Sequence, residues 1–251
     1  MAPNSRIILT RHAQAEHNVD LDYSSTCMIV AKAKRINCLT NQISVPDAPL
    51  TALGKKQAAA LAPQLGQLQQ EVELIATSPL QRTLQTTKLG WGPAVERLGI
   101  KTVICLPQAQ ECNDLPCDTG SSKEQLQANP EFADFDLSAL PADWTSKRGF
   151  WAADPASIRR RAQWVRQWLR DRPEGTIVLV AHGDVLRNIT AGPRGPSTYA
   201  WKNAEARIYR FDAGSVDTEE CFLDEKGVVA AAGGYAPTST EMDLPGYGGK
   251  I

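Results

Sequence analysis

The chain is poor in histidine, has no paired-cysteine motif and carries no long apolar run. Its only three histidines in 251 residues are His12, His17 and His182. There is no HExxH motif and no carboxylate cluster at metal-ligand spacing, so neither a metal nor a cofactor is expected. The six cysteines, Cys27, Cys38, Cys105, Cys112, Cys117 and Cys221, form no CxxC pair and read as free thiols of a reducing compartment. Cys112 and Cys117 lie close in sequence and are read the same way, not as a metal or redox pair. No stretch approaches the roughly 20 apolar residues of a membrane span. The start, MAPNSRIILT, lacks the basic and apolar regions of a signal peptide. A cytoplasmic protein with no membrane partner is expected. A net charge of -1 gives no basic excess, which argues against a nucleic-acid partner.

What is present is an ordinary globular composition, long enough to bury a full core. RIILT (6–10) is a short β-branched run and predicts a buried strand ending at Arg11-His12. From about 19 to 46 the chain has no clean period and reads as an insertion or lid, or equally as a solvated loop. Thr51 fits a helix N-cap, and the Ala-, Leu- and Gln-rich stretch after it predicts a helix bent near Pro63. VELIATS (72–78) predicts a second strand. Ser78-Pro79 reads as a cap followed by proline, opening a helix that ends at Gly90. KTVICL (101–106) predicts a third strand, and a loop-rich cap follows over about 107–153, with a short helix near SSKEQLQ. Asp154-Pro155 repeats the cap signal. The helix behind it places Ile158, Val165, Trp168 and Leu169 on one face, with Arg159, Arg160, Arg166 and Arg170 at polar positions. TIVLVAHG (176–183) is a continuous apolar strand suited to the middle of a parallel sheet. ARIYRF (206–211) predicts an edge strand, and the Gly- and Ala-rich stretch from about 225 predicts irregular chain. Strands alternating with helices predict a single α/β domain over 1–251, a three-layer α/β/α fold with a mostly parallel central sheet.

In such sheets ligands bind at the carboxyl ends of the strands. His12 and His182 end two predicted buried strands. Arg11 adjoins His12, and Arg82 lies in the first turn of the helix after LIATSP. Two arginines with two histidines suit a phosphoryl group, whose charge in transfer spreads over its equatorial oxygens. A neutral imidazole nitrogen can attack phosphorus while the flanking cations stabilise the charge without a metal. The helix opened by Ser78-Pro79 adds its positive end.

These residues fall into four ordered motifs. The first is Arg11-His12-Ala13-Gln14-Ala15-Glu16-His17-Asn18. The second is Asp47-Ala48-Pro49-Leu50-Thr51-Ala52-Leu53-Gly54, followed by Gln57-Ala58. The third is Ser78-Pro79-Leu80-Gln81-Arg82-Thr83-Leu84-Gln85-Thr86, and the last is Ala181-His182-Gly183. In this order the chain resembles the histidine phosphatase superfamily, the phosphoglycerate mutase-like family, over residues 6 to about 187. Its middle segment, Gln110 to Gly120, is similar to the fungal branch. The resemblance implies that His12 is phosphorylated, that Arg11, Arg82 and His182 complete a phosphate pocket, and that Asn18 contacts phosphate. It also implies that Glu111 protonates the leaving alcohol, with Asp114 and Asp118 as alternatives. Ala13 and Gln14 depart from the family's glycine and glutamate, which puts any specific mutase activity in doubt. His17 reads as structural or as pocket wall.

The expected function is hydrolysis of a small-molecule phosphomonoester. A phosphomutase of the same fold, or a same-fold protein repurposed for binding or for a non-phosphate reaction in specialised metabolism, are the alternatives. Lys32, Lys34 and Arg35 are candidate holders of a mutase's second anionic group, and Trp144 and Trp151 either line a substrate pocket or pack in the core. The substrate and the oligomeric state stay open.

Overall fold

The computed structural model describes residues 5–19 and 44–243. The strands are β1 (Arg6–Arg11), β2 (Leu74–Thr77), β3 (Ile104–Cys105), β4 (Thr176–Ala181), β5 (Glu205–Phe211) and β6 (Leu223–Ala231). The helices are α1 (Ala52–Leu65), α2 (Leu68–Glu71), α3 (Gln81–Gly90), α4 (Gly92–Leu98), α5 (Lys123–Ala128), α6 (Pro155–Arg170), α7 (Gly183–Ile189) and α8 (Ser239–Asp243). One sheet runs in the order β3-β2-β4-β1-β5-β6. β1 to β4 are mutually parallel, while β5 and β6 are antiparallel additions beside β1.

Alternation along the strands builds a core on each face. Ile8, Ile75, Val178 and Val180 pack with α1, α3 and α4. Ile7, Leu9, Ile177, Leu179 and Ala181 pack with α6 and α7. β4 is buried at every residue, as its unbroken apolar run requires of a strand covered on both faces. The three-layer α/β/α fold is therefore the one expected.

Several local expectations need correction. The 206–211 strand is not the edge. It lies between β1 and β6, and the chain from 223 to 231 is a strand rather than irregular. β6 hides its identity because only Leu223 and Ala230 are buried, and because the ladder to β5 has two register shifts. The third strand shrinks to Ile104–Cys105, with a 3-10 turn over Ile100–Thr102. The helix after Thr51 tolerates Pro63 and ends instead at Gly66, whose φ of 46° breaks it from α2. On α6, Arg166 is buried and donates to the Glu220 carbonyl, whereas Trp168 is half-buried with Arg172 over its ring. Trp144 and Trp151 belong to the core.

The 19–46 segment falls mostly outside the described residues, as do Lys32, Lys34, Arg35, Cys27 and Cys38. The described Cys105, Cys112, Cys117 and Cys221 are free and buried. Among the described residues, no helix is long and apolar enough to cross a membrane.

Candidate active site

β1 and β4 are neighbours, and their register pairs Arg11 with Ala181. The next residues, His12 and His182, therefore emerge side by side. The His12 N–H continues the ladder onto the Ala181 carbonyl at 3.0 Å, and the Ser78 N–H does the same from β2 onto the Val180 carbonyl at 2.9 Å. The His12 and His182 ring centroids are 5.2 Å apart.

Hydrogen bonds fix both tautomers. His12 Nδ1 lies 2.7 Å from the Ala13 carbonyl, which can only accept, so the proton sits on Nδ1. Nε2 then presents a lone pair, and it is buried with no partner among the described residues. His182 is the mirror case. Its Nδ1 accepts from Arg82 Nε at 3.1 Å, so Nε2 holds the proton and donates to Ser78 Oγ at 2.8 Å. Burial, then Arg82, pushes both rings well below the ordinary histidine pKa. Both are neutral at neutral pH.

Arg82 leaves the first turn of α3 fully buried. Beyond His182 it donates to the Cys117 carbonyl at 2.6 Å and to Asp118 Oδ1 at 2.8 Å. The predicted Ser78 cap is replaced. The Gln81 N–H is taken by Asp47 Oδ1 at 2.9 Å, which frees the Ser78 hydroxyl for His182. Asp47 adopts φ 44° to do this and also holds Ser121. The second motif thus braces the third. It also braces the first: the Thr51 hydroxyl donates to Gln14 Oε1 at 2.8 Å, and a Cβ on Gly54 would meet the Gln14 carbonyl oxygen at 1.8 Å. Gln14 therefore keeps a polar link where the family has a charge. Ala13 has no positive φ, and its N–H donates to the Thr86 hydroxyl.

Glu111 is buried beside this cluster. Its Oε1 accepts from the Cys112 and Val185 N–H groups at 2.9 and 3.0 Å, and Oε2 from Asp184 N–H at 3.3 Å. Burial raises its pKa to about 7, helped by Asp184 and Asp118. Of the alternative acids, Asp114 is exposed and lines a surface hollow with Pro46 and Pro116. Asp118 is buried as the partner of Arg82.

Sequence reasoning missed three contributors. Residues 235–241 form a strap over the site. Arg11 donates to the Ala236 carbonyl at 2.9 Å, Asn18 to the Pro237 carbonyl at 3.2 Å, and Ser239 to Asp118 Oδ2. Glu241 locks the strap to Arg187 at 2.9 Å. Gly183 is needed under it, since a Cβ there would meet Thr238 Cγ2 at 2.6 Å. Arg161, buried on α6, holds the loop that carries Glu111 through the Gln110 carbonyl at 2.9 Å. Lys147, at φ 52°, donates to the Glu111 carbonyl, and burial lowers its pKa to about 8. The positive φ of Lys147 carries a backbone cost that the sequence does not display. Arg11, His12, Asn18, Arg82 and His182 are each at most 1% exposed. Among the described residues, no group of three histidine, cysteine or acidic side chains is placed to hold a metal.

Two neutral histidines and two arginines thus meet at the carboxyl edge of a mixed sheet. The family model for the histidine phosphatase superfamily (branch 1) matches residues 7–220, so the chain belongs to that superfamily and is an enzyme of the phosphatase class. A probable phosphatase of Schizosaccharomyces pombe is 27% identical over 184 residues, 72% of this chain and 75% of that one. Phosphoglycerate mutase-like protein 1 of Arabidopsis thaliana is 28% identical over 210 residues, 72% of this chain and 68% of that one. Among solved structures, a phosphoserine phosphatase mutant from Entamoeba histolytica, in complex with phosphoserine, shares the fold. Its TM-score is 0.51 at 19% identity, over 92% of this chain and 98% of that one.

Proposed function

We propose that this phosphatase hydrolyses a small-molecule phosphomonoester through a phosphohistidine on Nε2 of His12. The observation that carries the reading is the unpartnered Nε2 lone pair of a neutral, buried ring whose Nδ1 proton is held by the Ala13 carbonyl. In the first step Nε2 bonds to phosphorus and the ester P–O bond breaks. The leaving oxygen takes the proton of Glu111, and a pKa near 7 keeps that proton available at neutral pH. The proton's place is Oε2, whose one backbone contact is the longest of the three. In the second step the Glu111 carboxylate takes a proton from water, the water oxygen bonds to phosphorus, and the N–P bond breaks. Arg11, Arg82 and Asn18 are donors to the phosphoryl oxygens, joined by the Nε2–H of His182, which leaves Ser78 Oγ to do so. No step calls on a metal.

The strap favours one second reading. A site closed this fully suits a phosphomutase, which must keep phosphohistidine from water. A panel of metabolite phosphates, assayed with EDTA for released phosphate and for isomerised product, tests both. Phosphate release by the wild type and none by His12→Ala supports the proposal. Isomerisation without release supports the mutase, and unchanged activity in His12→Ala rejects both.

A further inference from the structure

The third histidine takes no part in either step of that reaction. His17 lies in the 3-10 turn Glu16–Asn18, directly after β1, and is 2% exposed. The turn is pinned on two sides. Asn18 Oδ1 accepts the Ala15 N–H at 3.2 Å, and the Glu16 N–H donates to the Pro49 carbonyl at 2.9 Å. This fixes the ring beside the nucleophile, with centroids 5.7 Å apart and planes tilted by 51°. Its Nδ1 is buried and has no hydrogen-bond partner among the described residues.

A buried ring nitrogen without a partner is costly, and a mere wall residue would do better as an apolar ring. His12 Nε2 and Arg11 Nε, at the end of the same strand, share the condition. The charges that act on His17 most strongly are Arg82 and then Arg11, the same two that act on His12. The His17 ring also packs beside the ring whose Nε2 is free, with centroids 5.7 Å apart. A phosphoryl group on that nitrogen brings acceptor oxygens next to His17.

We propose that His17 is a further phosphoryl ligand, donating from Nδ1–H to a non-bridging oxygen of the group that His12 accepts and releases. The assignment rests on the phosphohistidine reading above. Only a proton on Nδ1 makes the contact attractive, since a lone pair there would face the oxygen's own.

Sulfate, a phosphoryl mimic, is the probe, titrated calorimetrically into the full chain. His17→Leu and His17→Phe both remove the donor, and Phe keeps the ring. His17→Asn places an amide N–H where Nδ1 was. Loss of a charge-assisted bond should weaken sulfate binding by roughly 10- to 100-fold in Leu and Phe, while Asn stays within about threefold of wild type. Thermal melting identifies which variants are folded, and Phe serves if Leu is not. Wild-type affinity in a folded Leu or Phe variant would overturn the assignment. So would an Asn variant as weak as Phe with an unchanged melt, which makes the position a matter of shape. Turnover of p-nitrophenyl phosphate by the wild type separates the two layers. If it persists while the variants bind sulfate normally, only the His17 role falls. If the wild type neither binds sulfate nor turns over, the phosphohistidine reading falls and takes this role with it.

Discussion

His12 and His182 follow two central strands whose ladder continues into His12 itself, so backbone register sets their spacing. Glu111 and Asp118 sit in a loop between β3 and α5 that has only short 3-10 turns, and their places depend on individual hydrogen bonds. Arg161 and Lys147 hold the Glu111 carbonyl side, α7 amides hold its carboxylate, and Ser239 of the strap reaches Asp118. The sheet half cannot shift without unpairing β1 from β4. The loop half can be altered one contact at a time. His12 is thus built into the fold, while Glu111 and the strap are attached to it.

Four changes break or sharpen this division. His12→Ala should lower hydrolysis of p-nitrophenyl phosphate by at least about 10³-fold, as loss of a covalent nucleophile does, with the melting temperature near wild type. A residual rate within tenfold of wild type would move the nucleophile elsewhere. Glu111→Gln keeps shape and removes the proton. It should slow an alkyl phosphate by about 10²-fold and p-nitrophenyl phosphate far less, because a good leaving group departs without help. Equal losses on both substrates would make Glu111 a scaffold for α7 rather than an acid.

The pH profile of an alkyl phosphate follows from the same assignment. Glu111 is raised to about 7, so the acid is protonated below that pH and lost above it, and the rate should fall by about tenfold per unit beyond. His12 is held neutral well below its ordinary value, so the acidic limb should lie well under pH 6.5. An alkaline limb that survives in Glu111→Gln would assign it to another group. The smallest effect is expected from Ser239→Ala, which removes one strap contact to Asp118. A single hydrogen bond should change the steady-state rate by less than about fivefold. A loss as large as that of Glu111→Gln would make the strap part of the machinery rather than its cover.

The sheet half was also the legible half. β1 and β4 announce themselves as apolar runs ending in histidine, because a strand buried on both faces needs one at every position. Arg82 and the Thr51 and Asp154 caps follow from local rules and appear as expected. The cover was not legible. β6 carries Asp224, Glu225 and Lys226 on an exposed edge, so its alternation is masked. The strap has no period at all, and its contacts to Arg11 and Asn18 are made by carbonyls, which every residue has. Ser78 was misread for the opposite reason. It has a good cap side chain, but the distant Asp47 takes the cap and leaves the hydroxyl to His182. Asp114 and Asp118 looked equivalent as acids in sequence. Burial and the Arg82 ion pair separate them.

The stereochemical course at phosphorus tests the central claim most directly. A thiophosphate monoester made chiral at phosphorus with two oxygen isotopes would be hydrolysed in water carrying the third, and the configuration of the released thiophosphate read by phosphorus NMR. Transfer to His12 and then to water is two in-line displacements, each inverting, so net retention is predicted. Net inversion would mean that water attacks the ester directly, and that His12 is never phosphorylated.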